Sequence, residues 1–112
     1  MSTQASDTQT SNDAQLDVLG DECARTILVA TSERPQTAKE LTALTDSSSA
    51  TVYRRINNLL ESGLIEECIR FEADSTHTTA YQATADTLRV TIGPDGIDVC
   101  VDCNAEDSSA LE

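Results

Sequence analysis

The hydrophobic pattern changes period at Gly63, and that change limits the folds open to this chain. Before it, apolar residues recur every three or four positions; after it, they alternate. Three- and four-residue steps are the signature of helices with one buried face, and alternation is the signature of half-buried strands. A chain helical in its first half and β in its second is an α+β domain with segregated elements, not a parallel βαβ sheet.

On the helical side, Leu16, Leu19, Cys23, Ile27 and Ala30 form one stripe in "LDVLGDECARTILVATS", which predicts a first helix, and Leu28 widens the stripe. "ERPQ" interrupts it. In "TAKELTAL", Thr37 stands three residues before Glu40, the spacing of a capping box, so a short second helix starts there with Ala38, Leu41 and Leu44 inward. "TDSSS" offers a tight turn and several N-caps, and Val52, Ile56 and Leu59 set the buried face of a third helix. Gly63 stands where a left-handed C-cap is needed.

Beyond it, Ile65, Ile69 and Phe71 share a strand face, "ADSTHT" reads as a loop and "AYQAT" as the returning strand. Leu88, Val90 and Ile92 before "PDG", with Ile97, Val99 and Val101 after it, mark a second hairpin. This order predicts a winged helix-turn-helix: three helices plus a β-hairpin wing, with an additional C-terminal β-hairpin. The expected layout is an N-terminal arm over 1–15, disordered by composition, the winged unit over 16–84, the hairpin over 85–103 and an acidic flexible tail over 104–112.

Projected on a helical wheel, the face of the third helix opposite Val52, Ile56 and Leu59 carries Ser47, Ala50, Thr51, Arg54, Asn57, Asn58 and Glu61. Apart from Glu61 these are small, hydroxyl, amide or guanidinium groups, which hydrogen-bond base edges and phosphates. Arg54 is the first choice for a base edge. Arg55, Ser48, Ser49 and Tyr53 suit phosphates, helped by the unpaired N–H groups at the helix start. Arg70, Ser75, Thr76, His77 and Thr78 are candidates for contact from the wing. The alternative reading of the arginines is a solvated helix face paired with acids such as Glu61.

Against this stands a formal net charge of -13, from 20 Asp and Glu against 7 Lys and Arg. The acids are spread through every segment and Lys39 is the sole lysine, a composition suited to hydration in multimolar salt, so a halophile is expected. At about 1 M salt the Debye length is about 3 Å, and global repulsion from DNA loses most of its reach. With an apolar fraction of 38% and no tryptophan, the core must be aliphatic, which makes a homodimer a reasonable expectation. No stretch has the length or apolarity of a membrane span or signal peptide, so a soluble, cytoplasmic protein is expected.

"ARTILVATSERPQTAKELTALTDSSSATVYRRINNLLESGLIEE" resembles haloarchaeal ArsR-like winged helix-turn-helix regulators, in which "R-x-I-L" leads to "A-K-E-L" and then "T-V-Y-R-R-I". The resemblance covers about residues 16–84, more loosely to 101. It implies a transcriptional regulator, commonly dimeric, that binds double-stranded DNA. No nucleophile–base pair, phosphate loop or dense carboxylate constellation points to enzymatic chemistry, and no cofactor is expected. By position it places Ser49, Thr51, Tyr53, Arg54 and Arg55 in the recognition helix and the loop around His77 in the wing. The metal-sensing members carry a cysteine motif where this chain has "LTALTD", so metal sensing at that site is not implied.

Cys100 and Cys103 form C-x-x-C, a spacing used for zinc or dithiol chemistry. Residues three apart in a strand point to opposite faces, so both reach one metal only if the strand ends at Asp102. Without a second pair, a structural or incidental role is favoured, and a thiol- or metal-responsive regulator remains a rival reading. A winged helix used as a protein-interaction module is another.

Overall fold

The computed structural model describes residues 12–101, and the expectations for 1–11 and 102–112, including Cys103 and the acidic tail, lie outside the described residues. The described chain is α+β: four helices, then two antiparallel hairpins. The helices are α1 (residues 12–19), α2 (Glu22–Glu33), α3 (Ala38–Leu44) and α4 (Ser49–Ser62). β1 (Ile65–Phe71) pairs with β2 (His77–Ala83), and β3 (Leu88–Gly93) with β4 (Gly96–Val101), in separate two-stranded sheets.

The expected first helix is two helices, which raises the count from three to four. The break falls at Gly20 and Asp21, where the Gly20 N–H still reaches Leu16 O at 3.0 Å but the Asp21 carboxylate takes the Ala24 N–H at 2.8 Å and starts a new helix. An aspartate at this position competes with helix continuation because it satisfies an N-terminal donor that the preceding turn cannot. The break rotates the stripe, so Val18 is buried and Leu16 and Leu19 only half-buried.

Helix begins by residue 12, within the stretch assigned by composition to the arm. There Gln15 donates to Ser62 O at 3.1 Å, and the Asn12 amide bonds β4 on both sides, accepting from Val99 N–H at 3.2 Å and donating to Ile97 O at 3.4 Å. Polar composition does not exclude order where each amide finds a backbone partner.

The core joins Val18, Ala24, Ile27, Leu41, Val52, Ile56, Leu59, Leu64, Ile65 and Tyr81. The capping box of α3 forms as its spacing predicts, with Glu40 N–H on Thr37 Oγ1 at 3.1 Å and Thr37 N–H on Glu40 Oε1 at 2.9 Å. Leu44, expected inside, is exposed, because α3 ends there and the side chain extends past the core to a surface groove beside Val29 and Ala30.

The first hairpin also departs from expectation. Ile65 is buried at its base, but Ile69 and Phe71 are exposed, and it is Cys68 and Arg70 that lie half-buried on the helix side. Arg70, near the outer end of the strand, turns to Pro35 and Glu40 at the start of α3, and Ile69 and Phe71 alternate to the opposite face. β2 begins at His77, earlier than expected, which places His77 opposite Phe71 and Thr78 opposite Arg70 in the ladder. Gln36, just before α3, exchanges backbone hydrogen bonds with Tyr81 at 3.0 and 2.8 Å and so holds β2 against the helical layer.

Gly63 closes α4 at φ 81°, and the following Leu64 N–H reaches back to Leu59 O at 3.2 Å. Only glycine takes this conformation without Cβ strain. Gly63→Ala is expected to lower unfolding free energy by about 1–2 kcal/mol, measured by denaturant titration at fixed salt. Gly93→Ala, where a Cβ meets nothing within 4 Å and no positive φ is required, should change it far less.

Candidate nucleic-acid interface

α3 and α4 form two short helices joined by the turn at Thr45–Ser48, and α4 presents a polar face to solvent. Its start is organised by Ser48, whose hydroxyl accepts from Thr51 N–H and bonds Thr51 Oγ1, both at 3.2 Å. Ser48 and Thr51 are therefore joined to each other, while Ser49 and Ala50 stand exposed in the first turn and Ser47 is half-buried in the preceding turn. Val52, Ile56 and Leu59 face inward as their spacing predicts.

On the outer side, Tyr53, Arg54, Asn57 and Glu61 are exposed, with Tyr53 at 53% of its surface. Asn58 is half-buried and lines a small acidic cleft with Asp17, Asp21, Arg55 and Glu61. The adjacent arginines part company. Arg54 has no ion-pair or hydrogen-bond partner among the described residues, whereas Arg55 Nε donates to Asp21 Oδ2 at 2.9 Å. That same oxygen caps α2, so one carboxylate fixes the start of α2 and the middle of α4 together. The Ala24 N–H and then Arg55 hold the Asp21 carboxyl below its ordinary range.

Arg70 is engaged as well. Its guanidinium forms a two-pronged pair with Glu40, Nη1 to Oε1 at 2.9 Å and Nη2 to Oε2 at 2.7 Å, and also donates to Pro35 O at 3.1 Å and to Glu72 Oε2 at 3.0 Å. The side chain expected to reach for a neighbouring phosphate instead ties β1 to the start of α3. A planar guanidinium is suited to this, because its fork matches both carboxylate oxygens. Glu40 and Glu72 raise the Arg70 pKa further, and Arg70 with the Thr37 N–H lowers the Glu40 pKa to about 2.

The tip of the first hairpin is acidic and tightly folded. Ser75 is left-handed at φ 73°, and Asp74 accepts from the Thr76 hydroxyl at 2.7 Å and its N–H at 3.2 Å, which lowers the Asp74 pKa. His77 sits edge-on to Phe71, ring centroids 4.5 Å apart, in the strand and not in the loop. Lys39 was not singled out from sequence. It lies exposed in the first turn of α3, on a surface groove that also takes in Tyr53, Arg70, Thr78 and Thr79. Its scarcity in an acidic chain was the available signal.

Two helices in this relation, the second with an open polar face, form a helix-turn-helix. Residues 19–68 match the family model of a helix-turn-helix domain. The helix-turn-helix match supports a DNA-binding regulator, a role that works by binding and not by catalysis. It ends at Cys68, so most of the first hairpin and all of the second lie beyond it. Among curated proteins, none matches the chain.

Cys100 is disulfide-bonded, while Cys23 and Cys68 are free thiols. Among the described residues no group of three or more His, Cys, Asp or Glu is arranged to hold a metal, and no helix is long and apolar enough to cross a membrane.

The Glu40 pair sets a pH dependence. A carboxyl whose folded pKa lies below its unfolded value stabilises the fold above the unfolded pKa, and that stability is lost as pH falls toward the folded one. Stability should therefore decline between about pH 4.5 and pH 2. Glu40→Gln should flatten that part of the profile, as read from denaturation midpoints across the range.

Proposed function

We propose that the chain is a sequence-specific transcriptional regulator of the haloarchaeal ArsR-like kind, a winged helix-turn-helix homodimer that places α4 in the major groove of double-stranded DNA. The observation that carries this reading is Arg54. It is exposed at the centre of the polar face of α4, without a partner among the described residues, while its neighbour is held by Asp21.

In this reading Arg54 donates both prongs to a guanine edge, and the Asn57 amide is suited to an adenine. Tyr53, Lys39 and the exposed start of α4 at Ser49 take phosphates, with Ser47 and Thr51 beside them. Ser48 caps the helix that carries these groups, and Asn58 supports its flank. Arg55 and Arg70 act by positioning: one sets α4 against α2, the other sets the wing against α3. His77 marks the outer part of the wing. The acidic exterior is tolerated because molar salt screens it and cations bridge carboxylates to phosphates.

A second reading, a protein-interaction module, draws support from the exposed Ile69 and Phe71 on the first hairpin. Genome-wide occupancy of the tagged protein at its native salt, beside Arg54→Ala, separates the two. Sharp peaks lost in the variant, with roughly tenfold to hundredfold weaker binding to the recovered site, fit the regulator. Unchanged occupancy, or none in either protein, turns the case to the interaction module. With few cations at the interface, affinity should also fall less with rising KCl than it does for a basic binder; titrations of the recovered site at several salt concentrations measure that slope.

A further inference from the structure

The second hairpin is amphipathic to its tip. The pairs Leu88 with Val101, Val90 with Val99 and Ile92 with Ile97 put six apolar side chains on one face, and Arg89, Thr91, Asp98 and Cys100 on the other. Leu88 and Val101 pack against the core, but the rest of the row extends past it, with Ile92 exposed at 78%, Val90 at 45% and Ile97 at 43%. A two-stranded sheet is marginal by itself, and stability calls for a third strand or a cover.

Its two edges are treated differently. Asn12 lies along the outer edge of β4, pairing with Val99 N–H and Ile97 O as a neighbouring strand would. Those bonds establish that Ile97 and Val99 direct their backbone groups away from β3. By the alternation of an antiparallel ladder, their partners Val90 and Ile92, and Leu88 before them, direct theirs away from β4. Among the described residues nothing takes up the N–H and C=O groups of Val90 and Ile92. This edge is lightly protected. Over Leu88–Gly93 it carries one charged residue, Arg89, and no lysine, proline or bulge, and Val90, Thr91 and Ile92 are strong strand formers.

We infer that the free edge of β3 pairs antiparallel with β3 of a second copy of this chain, joining the two hairpins into one four-stranded sheet. The charge distribution selects a copy as the occupant. The hairpin carries Arg89 against Asp95 and Asp98, a net charge of -1 in a chain of net charge -13, so two copies can meet there without setting one acidic cluster against another. Antiparallel pairing of a strand with itself is also what a two-fold axis requires. Centred on Val90, it sets Leu88 opposite Ile92 of the second copy; the Val90–Val90 and Leu88–Ile92 pairs each exchange two hydrogen bonds, while Arg89 and Thr91 keep theirs with β4. The apolar row then runs unbroken across both copies.

This inference rests on the homodimer in the proposed function and names its surface. Sedimentation of the full chain in molar KCl tests it without DNA, so its failure leaves the DNA-binding reading standing, and a failed occupancy experiment leaves the dimer standing. Val90→Pro removes only an N–H that faces away from β4, a place where an edge strand tolerates proline. The wild type is expected to sediment as two chains, and the variant at half that mass with an unchanged circular dichroism spectrum. A single-chain wild type overturns the inference, and so does a variant that remains two chains, since the contact then lies on stacked apolar faces or elsewhere. Should the variant not fold, hydrogen exchange of the wild type decides. Val90 and Ile92 amides protected at high concentration and released on dilution support the pairing; rapid exchange within a two-chain species refutes it.

Discussion

The pair between Glu40 and Arg70 connects the two halves of the molecule. Glu40 already closes the capping box of α3, so the carboxylate that completes a helix start is also the one that receives the hairpin. Through Arg70 the position of β1 is set by the first turn of α3, and Pro35 O adds a third point to the same clamp. The Gln36 bridge to Tyr81 does the equivalent for β2. The helical and β layers are thus joined at the entrance to α3 by polar contacts, while the aliphatic core lies beneath. A half-exposed ion pair adds little stability alone. Its value here is geometric, since it fixes one element against another in a small domain with few large side chains.

A shortage of cations gives the same result at α4. Asp21 caps α2 and holds Arg55, so the two helices share an anchor, and Arg54 stands beside it without one. In a chain of seven basic residues, which of them are tied up internally decides what the surface can do. Two arginines adjacent in sequence therefore differ in kind, one belonging to the framework and the other to the exposed face.

This distinction was not legible in the sequence. Periodicity located α3, α4 and both hairpins, and the Thr37 and Glu40 spacing gave a cap that the structure contains, because these signals depend on residues three or four apart. Asp21 and Glu40, which hold Arg55 and Arg70 against other elements, lie 34 and 30 residues away, and no local pattern reports them. The break at Gly20 was missed for a related reason. The apolar stripe runs through it, and the cap at Asp21 overrides a periodicity that is continuous on paper. Ile69 and Phe71 show the reverse error, since alternation identifies a strand face but not whether anything lies opposite it.

Asn12 illustrates how a composition can be read against its grain. The acidic composition of this chain has a limit wherever one side chain must donate and accept at once. An ionised aspartate at that position would turn a negative oxygen toward the Ile97 carbonyl and sit beside Asp98, whose Oδ1 accepts from the Asn12 amide at 3.1 Å. The amide serves as a strand of one residue, closing one border of the sheet while the other stays open. Helix α1 therefore acts as a selvedge, giving the hairpin a finished side and a working side.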